Sequence, residues 1–414
     1  MKILTQREKN TLQTLAEQYM DIASLPVQQK KITSWKALNA GNMKRPMVVI
    51  DQIPWHELDS DESLRPTIED TFWQALEKWL RMTIYKWKNF PADMVIEPFI
   101  PVPMAVESTY YGIEIQDDRA ITDERSDIVG HRYYNQLCRY EDISKISDIQ
   151  IKHNRKETEA AFNLYHDLLH DIAPLRLQGL QYHISLWDLI TQWMGVESIY
   201  SDLIERPEFI HSILRRVTDA TISGIKQANE LRVHNDIANT CHCSYIYTDE
   251  LLPAPGEGRG PESQYIWTFG MAQLFTAVSP DMTEEFELPY ITELAEYYGG
   301  VYYGCCERLD DRLELLKKIP KVRKISCSPW SNRDAFTEKI GSKIVMSLKP
   351  SPAIFAMSAI DMNDIKKDLQ HAVEFAARNR VNIEIILKDI STVNYDPGKL
   401  TDWNRIALEA VGGD

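Results

Sequence analysis

Apolar and polar positions along this chain follow two different periods, and each switch between them marks an element. Leu12, Leu15, Ala16, Tyr19 and Met20 recur at helical spacing over residues 6 to 20, and a second such stretch covers 26 to 39. Asn39-Ala40-Gly41-Asn42 supplies the stop, so residues 1–44 are expected to form an N-terminal helical extension. Arg45-Pro46 then leads into Met47-Val48-Val49-Ile50-Asp51, an unbroken apolar run of strand length. Thr67 to Asn89 reads as one amphipathic helix with Trp73, Trp79, Tyr85 and Trp87 among its apolar positions. An aromatic stripe of this kind suits core packing or a contact between two copies of the chain, a homodimer. Val95 to Glu107 is an extended segment broken by prolines, Tyr110 to Asp118 part of a hairpin insertion, and Glu141 to Leu169 mostly helical.

The second half repeats a simpler rhythm. Ala173 to Leu180 is a strand, Leu186 to Met194 a helix closed by Gly195, and Glu208 to Glu230 a long helix entered through Pro207. Ile237 to Tyr247 is expected to be a strand carrying Cys241-His242-Cys243, and the proline- and glycine-rich stretch from Leu252 to Gln264 a loop, with the role of a lid. After a helix from Thr283 to Tyr298, strands at Gly300–Tyr303, Lys324–Cys327, Lys343–Ser347 and Val381–Leu387 alternate with helices at Asp310–Lys318, Asp334–Ile340 and Met362–Arg378, and Asp402–Val411 closes the chain. Alternation of this type implies right-handed crossovers and a parallel sheet. Over residues 45–414 the expectation is an α/β fold, a (β/α)8 TIM barrel.

Composition narrows the function. A chain of 414 residues with 44% hydrophobic content can bury a large core. Its formal charge of −15, from 61 acidic against 46 basic residues, argues against nucleic acid as a partner. No window holds the ~18 uncharged apolar residues of a membrane span, and the first residues lack a signal core, so a cytoplasmic protein is expected. Six cysteines, four of them in the pairs Cys241/Cys243 and Cys305/Cys306, suit metal or thiol chemistry in a reducing compartment better than a disulfide framework.

Parallel α/β folds place their chemistry at the carboxyl ends of strands, which is where Gly304-Cys305-Cys306-Glu307 falls. Two soft sulfurs beside a hard oxygen can hold Zn²⁺ with a position open for substrate, so Cys305, Cys306 and Glu307 are candidate metal ligands. Taken singly, each cysteine also suits a small core residue, and Glu307 a helix cap. Cys241, His242 and Cys243 are candidates to complete the set; on a strand the two thiols would share one face and His242 take the other. Lys349, Lys388 and Asp389 follow the last two strands, where barrels often hold anionic groups, and with Glu307 are candidate catalytic residues. Gln52, Trp267, Gln273 and Trp330 are candidate walls of a substrate pocket.

From about Arg45 onward the chain resembles the uroporphyrinogen decarboxylase superfamily, which also holds the cobamide-dependent methyltransferases. The resemblance rests on Arg45-Pro46 opening the first strand, on Leu203-Ile204-Glu205-Arg206-Pro207-Glu208, on Phe286-Glu287-Leu288-Pro289-Tyr290 and on the strand order after Gly300. It is closest to methyltransferase-like members whose strand ends Gly-Cys-Cys-Glu, as at Gly304 to Glu307, followed by Lys324-Ile325-Ser326-Cys327-Ser328-Pro329-Trp330. The resemblance implies zinc held by a His-x-Cys and a later cysteine, and methyl exchange with the cobalt of a methylcobamide on a separate corrinoid protein. Two departures stand out. Tyr303 occupies the histidine place, and the final strand ends Leu387-Lys388-Asp389 without a cysteine. The arginine-rich segment that decarboxylase members carry after the first strand is replaced by Asp51-Gln52-Ile53-Pro54-Trp55, which counts against tetrapyrrole decarboxylation. The expectation is a methyltransferase acting on a small methylated substrate; the alternatives are a metal-free binding or regulatory barrel and a lyase on a carboxylated substrate held by the lysines.

Overall fold

Strands covered on both faces read as continuous apolar runs, and the central sheet of this protein is built from such runs. The computed structural model describes residues 4–59, 62–121, 124, 129–251 and 262–413. Eight strands matter for the site: β1 (Met47–Ile50), β2 (Ile100–Pro103), β3 (Leu175–Gln178), β4 (Trp267–Gly270), β5 (Gly300–Tyr303), β6 (Val322–Cys327), β7 (Val345–Leu348) and β8 (Ile383–Leu387). Six form one all-parallel sheet in the order β1-β8-β7-β6-β5-β4. The strands β2 and β3 make a separate parallel pair. Among the described residues no ladder closes the sheet into a ring: in place of the expected barrel the strands form a sheet of six and a separate pair. Single backbone bonds lie at both free edges: Asp93 N donates to Val48 O at 2.9 Å and Ile184 N to Phe269 O at 2.7 Å.

The two faces of the sheet differ. One carries Val301, Tyr303, Ile325, Met346, Leu348, Ile383 and Ile385 into the largest apolar cluster, beneath the crossover helices. The other, here the inner face, carries Tyr302, Lys324, Ser347 and Glu384, joined by hydrogen bonds. Lys324 Nζ lies 2.7 Å from Glu384 Oε2, both side chains are fully buried, Ser347 Oγ donates to Glu384 Oε1 at 2.7 Å, and Tyr302 Oη meets Ser347 Oγ at 2.7 Å. A charged pair without water is tolerated only when its remaining hydrogen-bonding capacity is filled, as it is here.

Helices α1 (Gln6–Ala23) and α2 (Pro26–Asn39) precede β1, and Trp35 of α2 sits under the buried pair, its ring 5.3 Å from Lys324 Nζ. The aromatic helix α3 runs from Thr71 to Asn89, starting four residues later than its periodicity suggested because Asp70 caps it by accepting from Trp73 N. Its stripe packs within the chain: Trp79 lies 5.0 Å from Tyr19, and Trp73 stacks on Tyr165 at 5.3 Å.

Other expectations change on inspection. The helix expected over Thr283 to Tyr298 is two helices, Pro280–Phe286 and Leu288–Ala295, because Pro289 has no N–H with which to continue the first. The helix expected over Asp310 to Lys318 is a single turn, Leu313–Leu316. The insertion forms its hairpin at Asp117–Ile121 and Val129–Tyr133, later than expected. The lid assigned to the loop from Leu252 falls, over 252–261, outside the described residues.

Candidate active site

Cys305 reaches the inner face through a glycine. At the end of β5, Gly304 takes φ +89°, and a Cβ there would stand 2.5 Å from Leu309 Cδ1 and 3.1 Å from Ser326 Cβ. Only glycine accepts both the left-handed angle and the crowding. The next turn is pinned by hydrogen bonds. Glu307, buried, accepts from Cys305 N at 2.7 Å and from Ala272 N at 3.2 Å, while the Cys305 carbonyl accepts from Ser326 Oγ at 2.8 Å and Lys349 Nζ at 3.2 Å. The Glu307 carboxylate is thus spent on backbone amides and holds the cysteine turn in shape rather than lying beside the sulfurs.

The segment expected as a strand over Ile237 to Tyr247 is instead a tight antiparallel hairpin, Thr240–Cys241 against Ser244–Tyr245. His242 (φ 43°) and Cys243 (φ 67°) form its left-handed two-residue turn. The turn overrides strand alternation, so the two thiols do not share a face. Cys241 belongs to the small apolar cluster of Trp267, Phe269, Tyr302 and Cys305, whereas Cys243 belongs to the separate cluster that holds Val49 and Ile386, and its thiol hydrogen-bonds to Asp51. Burial pushes the Cys241 thiol up to about 12 and raises Cys243 as well, so both are protonated packing residues. His242 joins the site: its ring stacks on Phe269 at 3.8 Å, and Nε2 lies 3.1 Å from Cys305 Sγ.

Around the two sulfurs the charges are closely matched. Cys305 Sγ lies 3.4 Å from Cys306 Sγ and accepts from Lys388 Nζ at 3.0 Å; Cys306 Sγ donates to Asp389 Oδ2 at 3.2 Å, and Lys388 Nζ lies 2.6 Å from the same oxygen. The close Cys306 sulfur is the largest influence lowering Cys305, against the opposing pull of burial and with help from His242 and Lys349; Cys306 is raised by Cys305 in turn. These opposite directions favour the anion on Cys305 over Cys306. Burial lowers His242, whose Nε2 faces the Cys305 sulfur at 3.1 Å. For Lys388 burial acts downward, but the sulfurs and Asp389 outweigh it and hold the ammonium charged; Lys349, 3% exposed, is pulled down by burial, with Cys305 opposing.

As for a metal, the ligand atoms of Cys305, Cys306 and Asp389 all lie within 4.8 Å of one another. Two sulfurs and a carboxylate oxygen are donor types that suit zinc. Asp389 stands where Glu307 was expected, and the Lys388 ammonium now fills the role of local cation.

Tyr303, in the histidine place of the resemblance, points to the outer face and donates its hydroxyl to Glu287 at 3.0 Å. Burial, and the repulsion of Glu307 together with Asp188, raise Glu287 to about 8; burial, then Glu307 and Cys305, raise Asp188 to about 7. Neither acid stood out in the sequence, nor did Lys324 and Glu384, although a charge inside the runs Arg323-Lys324-Ile325-Ser326 and Ile383-Glu384-Ile385 was a readable signal. The proposed pocket walls are scattered. Trp267 is buried at the amino end of β4, opposite the sulfurs, and Trp330 is 72% exposed beyond β6. Gln273 is exposed and donates to Met271 Sδ, and Gln52, exposed at φ 48°, accepts through its carbonyl from Ile390 N.

Neither a protein-family model nor a curated protein sequence matches the chain. Among solved structures it is similar to a methyltransferase from Methanosarcina mazei, at 11% identity over 92% of this chain and 98% of that one, with a TM-score of 0.53. At that identity the likeness is one of fold. Among the described residues, no helix is long and apolar enough to cross a membrane.

Proposed function

We propose that the protein is a methyltransferase that moves a methyl group between a small methylated substrate or thiol and a separate corrinoid protein, with its reaction centre at Cys305, Cys306, His242 and Asp389. The observation that carries this reading is the Cys305 sulfur, buried at a strand's carboxyl end with Lys388 Nζ at 3.0 Å and His242 Nε2 at 3.1 Å. Methyl transfer to sulfur requires an available sulfur lone pair or a Lewis acid that generates one. Cys305, Cys306 and Asp389 would hold zinc. When bound, zinc would supply Lewis acidity toward a thiol or methyl donor, and the partner's corrinoid a methyl-carrying cobalt. The likeness in fold to a methyltransferase supports the reading. Closure of the eight parallel strands as a (β/α)8 barrel is part of it, supported by the edge bonds at Asp93 and Ile184.

The chain's own groups divide the work. In transfer to a thiol, the bond from methyl carbon to donor breaks with its electron pair leaving on the donor, and a sulfur lone pair forms the new carbon–sulfur bond. The acceptor's proton passes to Asp389. Lys388 and Lys349 balance the negative charge, while Glu307 keeps the cysteine turn rigid.

A second reading rests on Lys388, whose ammonium bridges Cys305 Sγ and Asp389 Oδ2. In a metal-free binding barrel that ammonium would be the permanent counter-charge. Elemental analysis of protein purified without chelator separates the two readings. The first expects about one zinc per chain, lost in Cys306→Ser, and methyl transfer from methylcobalamin to a thiol falling at least about a hundredfold in Cys305→Ser. A metal-free, folded wild type favours the second reading, and full transfer by the Cys305→Ser/Cys306→Ser double variant sinks the proposed centre.

A further inference from the structure

On the Cys243 side of the 240–245 hairpin lies a cavity of about 450 Å³ that the reaction above does not use. Its size suits a small ligand. Tyr19, Trp55, Trp79, Phe99 and Tyr245 line it with rings, and Glu97 adds a carboxylate. The rings come from separate parts of the chain, Tyr19 from α1, Trp79 from α3 and Tyr245 from the hairpin, so the N-terminal helices contribute a wall. Tyr247 stacks parallel to Tyr245 at 6.0 Å and donates its hydroxyl to Glu97 Oε1 at 2.5 Å, which orients the carboxylate.

The charges on the lining do not cancel. Lys86 lies 3.6 Å from Asp51 and answers that acid, whereas Glu97 has no basic side chain at ion-pair distance among the described residues. Arg176, in the adjoining cavity, is taken by Asp236 at 3.8 Å; its guanidinium lies 4.9 Å from the Phe99 ring, so that ring already receives a cation. Tyr245 lies between Trp35 at 5.1 Å and Tyr247 at 6.0 Å, so the rings left to a ligand are chiefly Tyr19, Trp55 and Trp79. Such rings in one cavity with an unanswered carboxylate attract a cation too diffuse to demand full hydration, as a quaternary ammonium group is.

We propose that this cavity binds a small organic cation bearing a methylated ammonium group, with the rings around the methyl groups and Glu97 as counter-ion. The inference does not depend on the methyl-transfer reading, because the cavity residues are not those of the sulfur centre.

Calorimetry and tryptophan fluorescence with choline, and with its uncharged carbon isostere 3,3-dimethylbutan-1-ol, test it on the full chain. Choline is expected to bind at least about tenfold more tightly than the isostere and to change the emission of Trp55 and Trp79. Glu97→Gln keeps an acceptor for Tyr247 and is expected to weaken choline about tenfold while leaving the isostere unchanged. Should Glu97→Gln fail to fold by circular dichroism, Trp55→Leu removes a lining ring that receives no cation from the protein among the described residues and is expected to weaken choline severalfold. Cys305→Ser is expected to bind choline as the wild type does, so loss of the reaction and loss of this site are read separately. Equal binding of choline and isostere, no binding of choline up to about 10 mM, or unchanged affinity in a folded Glu97→Gln or Trp55→Leu would overturn the proposal.

Discussion

His242 and Cys305 are 63 positions apart in the chain, yet Nε2 of one lies 3.1 Å from Sγ of the other. Two local departures from regular strand geometry make the contact. A left-handed turn lifts the imidazole onto Phe269, and the positive φ of Gly304 returns Cys305 to the inner face. The histidine beside the Cys305 sulfur thus comes from the 240–245 hairpin, while Tyr303 points to the outer face.

An ionised Cys305 is visible by ultraviolet thiolate absorbance. One thiolate is expected to persist well below the ordinary thiol range, and to vanish in Cys305→Ser but not in Cys241→Ser. Lys388→Met should move its titration upward by roughly one unit or more, because the ammonium 3.0 Å away favours the anion. An unshifted titration in Lys388→Met would show that the ammonium is not what holds the charge.

Gly304→Ala tests the turn. The new Cβ must enter a left-handed conformation with Leu309 Cδ1 at 2.5 Å, and the expected loss of stability is about 2 to 4 kcal/mol in a urea titration. The thiolate band should weaken in parallel as Cys305 leaves its place between His242 and Lys388.

The buried pair beneath the site should behave asymmetrically. Lys324→Met leaves the fully buried Glu384 without its cation and is expected to cost about 3 to 5 kcal/mol. Adding Glu384→Leu should recover much of that loss, since an apolar pair avoids the desolvation that the ions incur. Additive losses in this cycle, measured by chemical denaturation, would show that the two side chains are not coupled.

Glu287 predicts a pH dependence of defined sign. Its folded value, raised to about 8 chiefly by burial, lies above the ordinary 4.5, so the folded state keeps a proton that the unfolded chain releases. Its contribution to stability is complete below about pH 4.5 and is lost as the pH rises toward 8. In Glu287→Gln the denaturation midpoint should decline less across that window than in the wild type. The decline due to Asp188, which has the same sign, should remain. Parallel profiles for the two proteins would refute the assignment.

What the sequence by itself determined is the set of elements and the ends at which chemistry sits. The apolar runs at Met47, Gly300, Lys324 and Ile383 became parallel strands because side-chain period is a local property. The same logic put Cys305, Lys349 and Lys388 just past strand ends, where all three are now buried together. Only the tertiary structure decided which groups meet. It turned Glu307 onto backbone amides and brought in Asp389, changed a supposed strand into the turn that carries His242, and hid Lys324 and Glu384 in one pair. Those outcomes depend on two turn conformations and on cross-strand partners far apart in the chain, and a linear pattern of apolar and polar residues encodes neither.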